Sequence, residues 1–297
     1  MKKLLKKITL IFFSNQNYIT YNIFNRIFKL IKCKSNSENQ LVNNYIKNGY
    51  SKSKKVPEID VEELNKLLEN SEKTFKDNVT NYTLNDKIKK KIKSIFFQNF
   101  CNDIEEFKKY YSSDILITNI KVCINHSFEK NKSKEIQFYS ENYHTDNYLF
   151  TYFKLFVNLE DIDKSKGPLH FIPKNRTRQF IKQSRYKNRY NYSDHYDDNL
   201  VFKNIGKSGE SIFFNSAECF HRAGVPDTGF QRKMLMIVFN AVPDEIKNDY
   251  FFLERKYKND IFCLDHWSRI FGKPNGIINT YKFLLKFFIG SNKVNSY

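Results

Sequence analysis

No apolar run in this sequence comes near the roughly 18 residues a membrane-spanning helix requires, so a spanning protein is not expected. The opening stretch "MKKLLKKITLIFFSNQ" imitates an export signal, but Lys6 and Lys7 confine its apolar core to residues 8–13. No small-x-small cleavage site follows it. The five cysteines, Cys33, Cys101, Cys123, Cys219 and Cys263, form neither a CxxC pair nor a regular spacing. An odd, scattered set of this kind reads as reduced thiols in a cytoplasm, and Cys219 as a small buried hydrophobe. There is no zinc-finger spacing, no RNP-like aromatic motif and no internal repeat, which leaves a nucleic-acid partner without a signature. Acidic residues are missing from residues 1–34 and 266–297, where eight and five Lys or Arg stand alone. Thirteen of the eighteen net positive charges therefore sit at the two ends, and the middle of the chain is close to balanced.

What is present is ample apolar material: 29 Phe, 19 Tyr and a hydrophobic share of 40%, enough for a core without disulfide staples. Residues 18–34, "YITYNIFNRIFKLIKCK", space Ile23, Phe24, Ile27, Phe28 and Ile31 as one face of a basic amphipathic helix. "IINTYKFLLKFFIG", residues 277–290, repeats that character. Either helix packs on the domain or rests on an anionic membrane surface, which would place the protein in the cytoplasm or peripherally at a membrane's inner face. The division expected is a basic segment and connector over 1–40, one domain over 41–245, and a helical basic extension over 246–297.

Within the domain, residues 60–110 carry helical spacing, with Val61, Leu64, Leu67 and Leu68 on one stripe. From about residue 115 the period becomes two. "ILITNIKVCINHSF", "LFTYFKLFVNLE", "LHFIP", "LVFKNI", "ESIFFN" and "KMLMIVFNAV" are the strand candidates, parted by Gly, Pro, Asn and Asp. Short strands after a helical block predict a mainly β sandwich or barrel covered by helices on one side.

His144 and Asp146 in "ENYHTDN" stand two apart, so in extended chain they address one point. His221 supplies a third ligand if "GESIFFNSAECFH" is one strand returning as "FQRKMLMIVFNAV" in an antiparallel hairpin. On the returning strand Arg232 heads a row with Met234, Met236 and Val238. An arginine on an inward row needs an anion. Two histidines and a carboxylate leave three positions open on an octahedral metal, the arrangement of non-haem Fe(II) oxygenases. Those positions take the 1-carboxylate and 2-keto oxygen of 2-oxoglutarate together with O2, and Arg232 suits the cosubstrate's far carboxylate.

These residues resemble the phytanoyl-CoA dioxygenase family of Fe(II)- and 2-oxoglutarate-dependent oxygenases. The resemblance rests on "YHTDN", "GPLHFIPKNRTR", "GESIFFNSAECFHRAGVPDTGFQRKMLMIVF" and the opening "NYIKNGY", and runs over residues 41–243. It implies a double-stranded β-helix, a jelly-roll or cupin-like core, with Fe(II) on His144, Asp146 and His221 and Arg232 on 2-oxoglutarate. It implies a hydroxylase acting on an unactivated C–H bond; the motifs do not give the substrate, and the basic termini and the Arg-bearing insertion suggest a small anionic or membrane-associated molecule, lipid- or glycan-related or phosphorylated. Five residues at three places depart from the family pattern. Lys174, Asn175 and Arg176 replace Gly-Ser-His and should alter the rim of the site, Ala223 replaces a hydroxyl, and His126 falls near a family lysine that touches the cosubstrate. Asp146 argues against halogenation, for which the carboxylate is lost. His170 is expected to be structural, His195 to lie in a lid-like insertion with Arg185 and Arg189, and His266 and Trp267 to pack. The rival class is a catalytically inactive β-helix protein that binds a polyanion or a membrane surface.

Overall fold

The computed structural model describes residue 33 and residues 37–112, 114–129, 140–146 and 152–242. The two basic amphipathic segments, His266 and Trp267 lie outside these residues. Among the described residues no helix is long and apolar enough to cross a membrane.

Among the described residues, four helices come first. Asn39 accepts from the backbone N–H groups of Leu41 and Val42 and so starts α1 (Gln40–Asn48), which Gly49 ends in the left-handed region at φ 83°. That cap delivers the chain into β1 (Tyr50–Lys52). Helix α2 (Glu58–Glu69) opens behind Pro57 with acids in its first turn, and buries Val61, Leu64 and Leu68, most of the predicted stripe. A hairpin absent from the sequence expectation follows, β2 (Lys73–Lys76) and β3 (Val79–Tyr82). Its two turn residues, Asp77 and Asn78, have φ 52° and 58°, the paired left-handed geometry of a type I′ turn. Helices α3 (Asp86–Asn99) and α4 (Cys101–Tyr111) complete the block.

The β region holds β4 (Asp114–His126), β5 (Tyr152–Asn158), β6 (Leu169–Ile172), β7 (Phe202–Lys203), β8 (Ser211–Phe214), β9 (Phe220–Ala223) and β10 (Gln231–Val242). A short helix α5 (Thr177–Ser184) lies between β6 and β7. A seven-stranded sheet runs in the order β1-β8-β5-β10-β4-β3-β2, and a three-stranded sheet in the order β7-β6-β9. An isolated antiparallel bridge between His144 and His221 extends the smaller sheet beyond β9. The chain thus alternates: β4 in the large sheet, the His144 segment in the small one, β5 in the large, β6 and β7 in the small, β8 in the large, β9 in the small, β10 in the large. That winding is a double-stranded β-helix, and the mainly β class with flanking helices agrees with the sequence expectation.

One expectation is corrected. Ser211–His221 is not a single strand, and it forms no hairpin with the strand that carries Arg232. Strand β8 pairs with β1 and β5, β9 pairs with β6, and β10 pairs with β4 and β5. The break lies at Asn215, whose side chain accepts from the N–H groups of Ala217 and Glu218 and closes a turn inside an apolar run. Cys219 is buried, as expected, but in the turn rather than on a strand, and its thiol donates to Ile172 O at 3.2 Å.

Strand parity separates two apolar layers. One face of the large sheet, through Phe153, Leu155, Val157, Phe213, Leu235, Ile237 and Phe239, packs on the helices. The other, through Cys123, Phe156, Ile212, Phe214 and Met234, faces Leu169, Phe171 and Ala223 of the small sheet. Two glycines allow the chain entering β6 and the chain leaving β9 to touch. A Cβ on Gly167, at φ 60°, would fall within 2.5–2.7 Å of Pro226 N, Val225 C and Gly224 O, and Gly224 N–H donates to Pro168 O at 3.0 Å. The Gly-Pro-Leu segment therefore exists to let backbone touch backbone.

Phe153 is fully buried, stacked on Phe239 at 4.9 Å and in contact with the rings of Phe107, Tyr111 and Phe213. Phe153→Ala should lower the unfolding free energy by about 3–5 kcal/mol in urea titration. A loss below about 1 kcal/mol would mean that this layer does not hold the helices to the sheet.

Candidate metal centre

His144 and His221 are joined through their backbones before their side chains meet. His144 N–H donates to His221 O at 3.1 Å, and His221 N–H donates to His144 O at 2.9 Å. The paired residues bring the imidazoles to a ring separation of 4.4 Å. Two residues on, Asp146 N–H donates to Ser216 O at 2.7 Å, which anchors the carboxylate against the turn before β9.

The ring orientations are set by main-chain carbonyls. His144 Nδ1 lies 2.8 Å from Asn142 O, and His221 Nδ1 lies 2.9 Å from Cys219 O. A carbonyl can only accept, so each Nδ1 carries the proton, and in the neutral ring Nε2 is a lone pair. Those nitrogens face one carboxylate oxygen: Asp146 Oδ1 is 3.5 Å from His144 Nε2 and 3.9 Å from His221 Nε2. One donor atom from each residue falls within 4.8 Å of the others. Three acceptors therefore converge with no proton between them, which is unfavourable unless a cation fills the point. His144, Asp146 and His221 would hold such an ion.

The protonation states agree. Burial and the neighbouring His144 push His221 down to about 3, so it is neutral at ordinary pH. Burial alone would raise Asp146, but its carboxyl is held well below the usual range, foremost by the Lys154 ammonium.

The sequence-predicted arginine also lies on the site's side of the sheet. Arg232 is only 2% exposed, and its Nη1 donates to Gly224 O at 3.3 Å. It pairs with Asn125 on β4, so both project between the sheets with Cys123 and Met234. His126 is one position out of phase: its Nε2 meets Thr80 Oγ1 at 2.8 Å, and its ring lies at the edge of Phe75. Asn125, not His126, stands beside Arg232. Ala223 is buried in the inner layer and brings no hydroxyl. Lys174 contributes to the wall next to α1 and not to a rim of free charge: its ammonium meets Glu218 at 3.2 Å and donates to Ile46 O at 3.1 Å.

Two features escaped the sequence. Lys154, on β5, places its ammonium on Asp146 Oδ2. The insertion after α5 closes over the first histidine's strand, since Tyr192 Oη accepts from Tyr143 N–H at 3.1 Å and Tyr186 Oη donates to Tyr143 O at 3.1 Å. The insertion meets the site's strand through these tyrosines rather than through its arginines. Arg185 caps α5 in the left-handed region and is exposed, Arg189 lies 5.8 Å over its neighbour Tyr190, and His195 is exposed. Beneath the insertion, on the outer face of the small sheet, His170 Nδ1 receives Arg222 Nε–H at 3.0 Å and lies 3.2 Å from Tyr143 Oη, while Arg222 stacks 4.7 Å over the Tyr143 ring. His170 is structural, as expected.

No protein-family model matches the chain. No curated protein matches it either. Among solved structures, SnoN, a non-heme alpha-ketoglutarate-dependent epimerase from nogalamycin biosynthesis, aligns at 14% identity over 69% of this chain and 83% of that one, with a TM-score of 0.49. HygX from Streptomyces hygroscopicus, solved with nickel and 2-oxoglutarate, aligns at 11% identity over 69% and 88%, with a TM-score of 0.48. EctD from S. alaskensis, solved with Fe, aligns at 13% identity over 74% and 87%, with a TM-score of 0.47. At such identities and TM-scores these likenesses assign neither activity nor substrate to this chain.

The buried histidines predict an acid limit. Burial, with Arg222 next, lowers His170 to about 3, and His221 is lowered as far. Both values lie below the 6.5 of a free ring, so the unfolded chain takes up protons first. Their contribution is full above about pH 6.5 and is lost as pH falls toward 3. The urea midpoint of metal-free protein should drop steadily from pH 6.5 to 4, and less so in His170→Gln. An equally steep profile in that variant would exclude His170 as a cause.

Proposed function

We propose that the chain is an Fe(II)- and 2-oxoglutarate-dependent oxygenase that hydroxylates an unactivated C–H bond of a small molecule. The observation that carries this reading is the set of three acceptors, His144 Nε2, His221 Nε2 and Asp146 Oδ1, converging without a proton inside a jelly-roll core. Two imidazoles and one carboxylate suit a first-row divalent ion, and three ligands leave the other positions of an octahedron for cosubstrate and O2. Iron(II) with 2-oxoglutarate supplies the oxidation when bound: 2-oxoglutarate, O2 and substrate R–H yield succinate, CO2 and R–OH.

The chain's own residues do the rest. The carbonyls of Asn142 and Cys219 keep both rings in the tautomer that offers Nε2, and at the same time fix the ring planes. Arg232, buried between the sheets, offers a planar fork for the distal carboxylate of the cosubstrate, held in place by its bond to Gly224 O. Phe214, with its ring 5.0 Å from that of His221, and Phe156 stacked on it line the neighbouring inner wall and keep that side of the site dry. Anionic character in the substrate, lipid- or glycan-related, is the reading that the basic composition supports.

The test is anaerobic addition of Fe(II) and then 2-oxoglutarate to metal-free protein. A weak visible charge-transfer band should appear in the wild type. It should vanish in His144→Ala and need at least ~30-fold more 2-oxoglutarate in Arg232→Ala, the lower range for stripping one partner from a buried charge pair. Folded wild-type protein without a band would favour the rival, an inactive binding protein that has kept the fold.

A further inference from the structure

Strand β5 reads Tyr152-Phe153-Lys154-Leu155-Phe156-Val157-Asn158, and Lys154 is its one charged residue. Across the sheet it pairs with Phe214 on β8 and Val238 on β10, so by parity it projects between the sheets, on the side of Phe156 and Met234. Its side chain is 15% exposed. The ammonium lies 5.7 Å over the Phe214 ring and donates to Asp146 Oδ2. A lysine is costly in such a row unless its charge is met, and the group that meets it is the candidate metal-binding carboxylate.

The two oxygens of Asp146 consequently have separate tasks. Oδ1 faces the two imidazole Nε2 atoms at 3.5 and 3.9 Å, and Oδ2 is held by Lys154. We propose that Lys154 is a positioning residue: by holding Oδ2 it limits Asp146 to one metal bond and keeps a coordination position open, while its charge favours a dianionic cosubstrate beside the metal. This rests on the reading of the site as one for iron and 2-oxoglutarate. A carboxylate released from Lys154 is free to turn both oxygens to the ion and occupy a position that a chelating cosubstrate needs. The ammonium also repels a divalent cation and attracts a dianion, so its removal changes the two affinities in opposite senses. Lost packing or misfolding would weaken both together.

The experiment uses the full chain with Co(II) as a spectroscopic probe for Fe(II). Co(II) is titrated into metal-free wild type, Lys154→Met, Lys154→Gln, Lys154→Arg and His144→Ala, and 2-oxoglutarate is then titrated into each loaded protein. In Lys154→Met, Co(II) should bind at least as tightly as in wild type, and 2-oxoglutarate at least tenfold more weakly. Lys154→Gln should behave alike and carries the test if the Met variant does not fold, while Lys154→Arg, with the charge restored, should stay within about threefold of wild type for both ligands. A parallel loss of both affinities in the folded neutral variants, or unchanged 2-oxoglutarate binding, would overturn the role given to Lys154 and leave the iron reading intact. Wild type and His144→Ala binding Co(II) equally poorly would overturn the iron reading and this proposal with it.

Discussion

The reciprocal hydrogen bonds between the backbones of His144 and His221 are the constraint on which the site depends. The winding of the jelly roll sends the chain from β4 to the small sheet and back through β5, and the bridge is where that excursion meets β9. Once the pair is formed, both imidazoles project from adjacent strands at one register, and Asp146, two residues on, must reach the same point. The ring tautomers then follow from carbonyls two residues before each histidine, Asn142 O and Cys219 O, so both nitrogens are prepared by the local chain rather than by distant partners. A slip of one residue in this pairing would invert the side chains and dismantle the site.

Charge is arranged around that point with little redundancy. Both imidazoles offer lone pairs, the carboxylate stays ionised chiefly because of the Lys154 ammonium, and Arg232 supplies a second cation inside the sheets. Arg232 and Lys154 thus set two positive charges between the sheets against the one carboxylate of Asp146. The same economy holds on the outer face of the small sheet, where Arg222 is met by the Tyr143 ring and by His170, which stays neutral and accepts. Burial drives the His170 pKa down, and the repulsion that a protonated ring would meet from Arg222 adds to it.

Much of this was legible in the sequence. The change of period near residue 115, the helical stripe of α2, the ligand trio and the arginine on an inward row each follow from spacing. What failed did so for identifiable reasons. "SIFFNSAECFH" is continuously apolar apart from short polar residues, so the turn made by the Asn215 side chain is hidden, and a segment that changes sheets reads as one strand. Whether His126 or its neighbour stands beside Arg232 is open in the sequence, because strand parity needs a fixed register and none exists until β4 is paired with β10. Lys174 was read as part of a rim because nothing local points to Glu218 as its partner. Lys154 carried the same signal as Arg232, a charge on an inward row, but its strand is apolar on both faces, and only the pairing with β8 and β10 decides which face is inward.

The tyrosine clamp shows how the insertion after α5 bears on the site without reaching it. Tyr186 and Tyr192 bind the carbonyl and the N–H of Tyr143, the residue directly before His144, and use side chains where a sheet would use a further strand. Among the described residues the His144 segment meets β9 through one bridge and one further backbone bond, Ala223 N–H to Ser140 O, far less than the ladder that secures β10 between β4 and β5. The insertion thus supplies on one side the order that the small sheet lacks there. It follows that the geometry of the first histidine depends on a segment with no ligand of its own, and that changes in the insertion would reach the centre through the backbone of Tyr143.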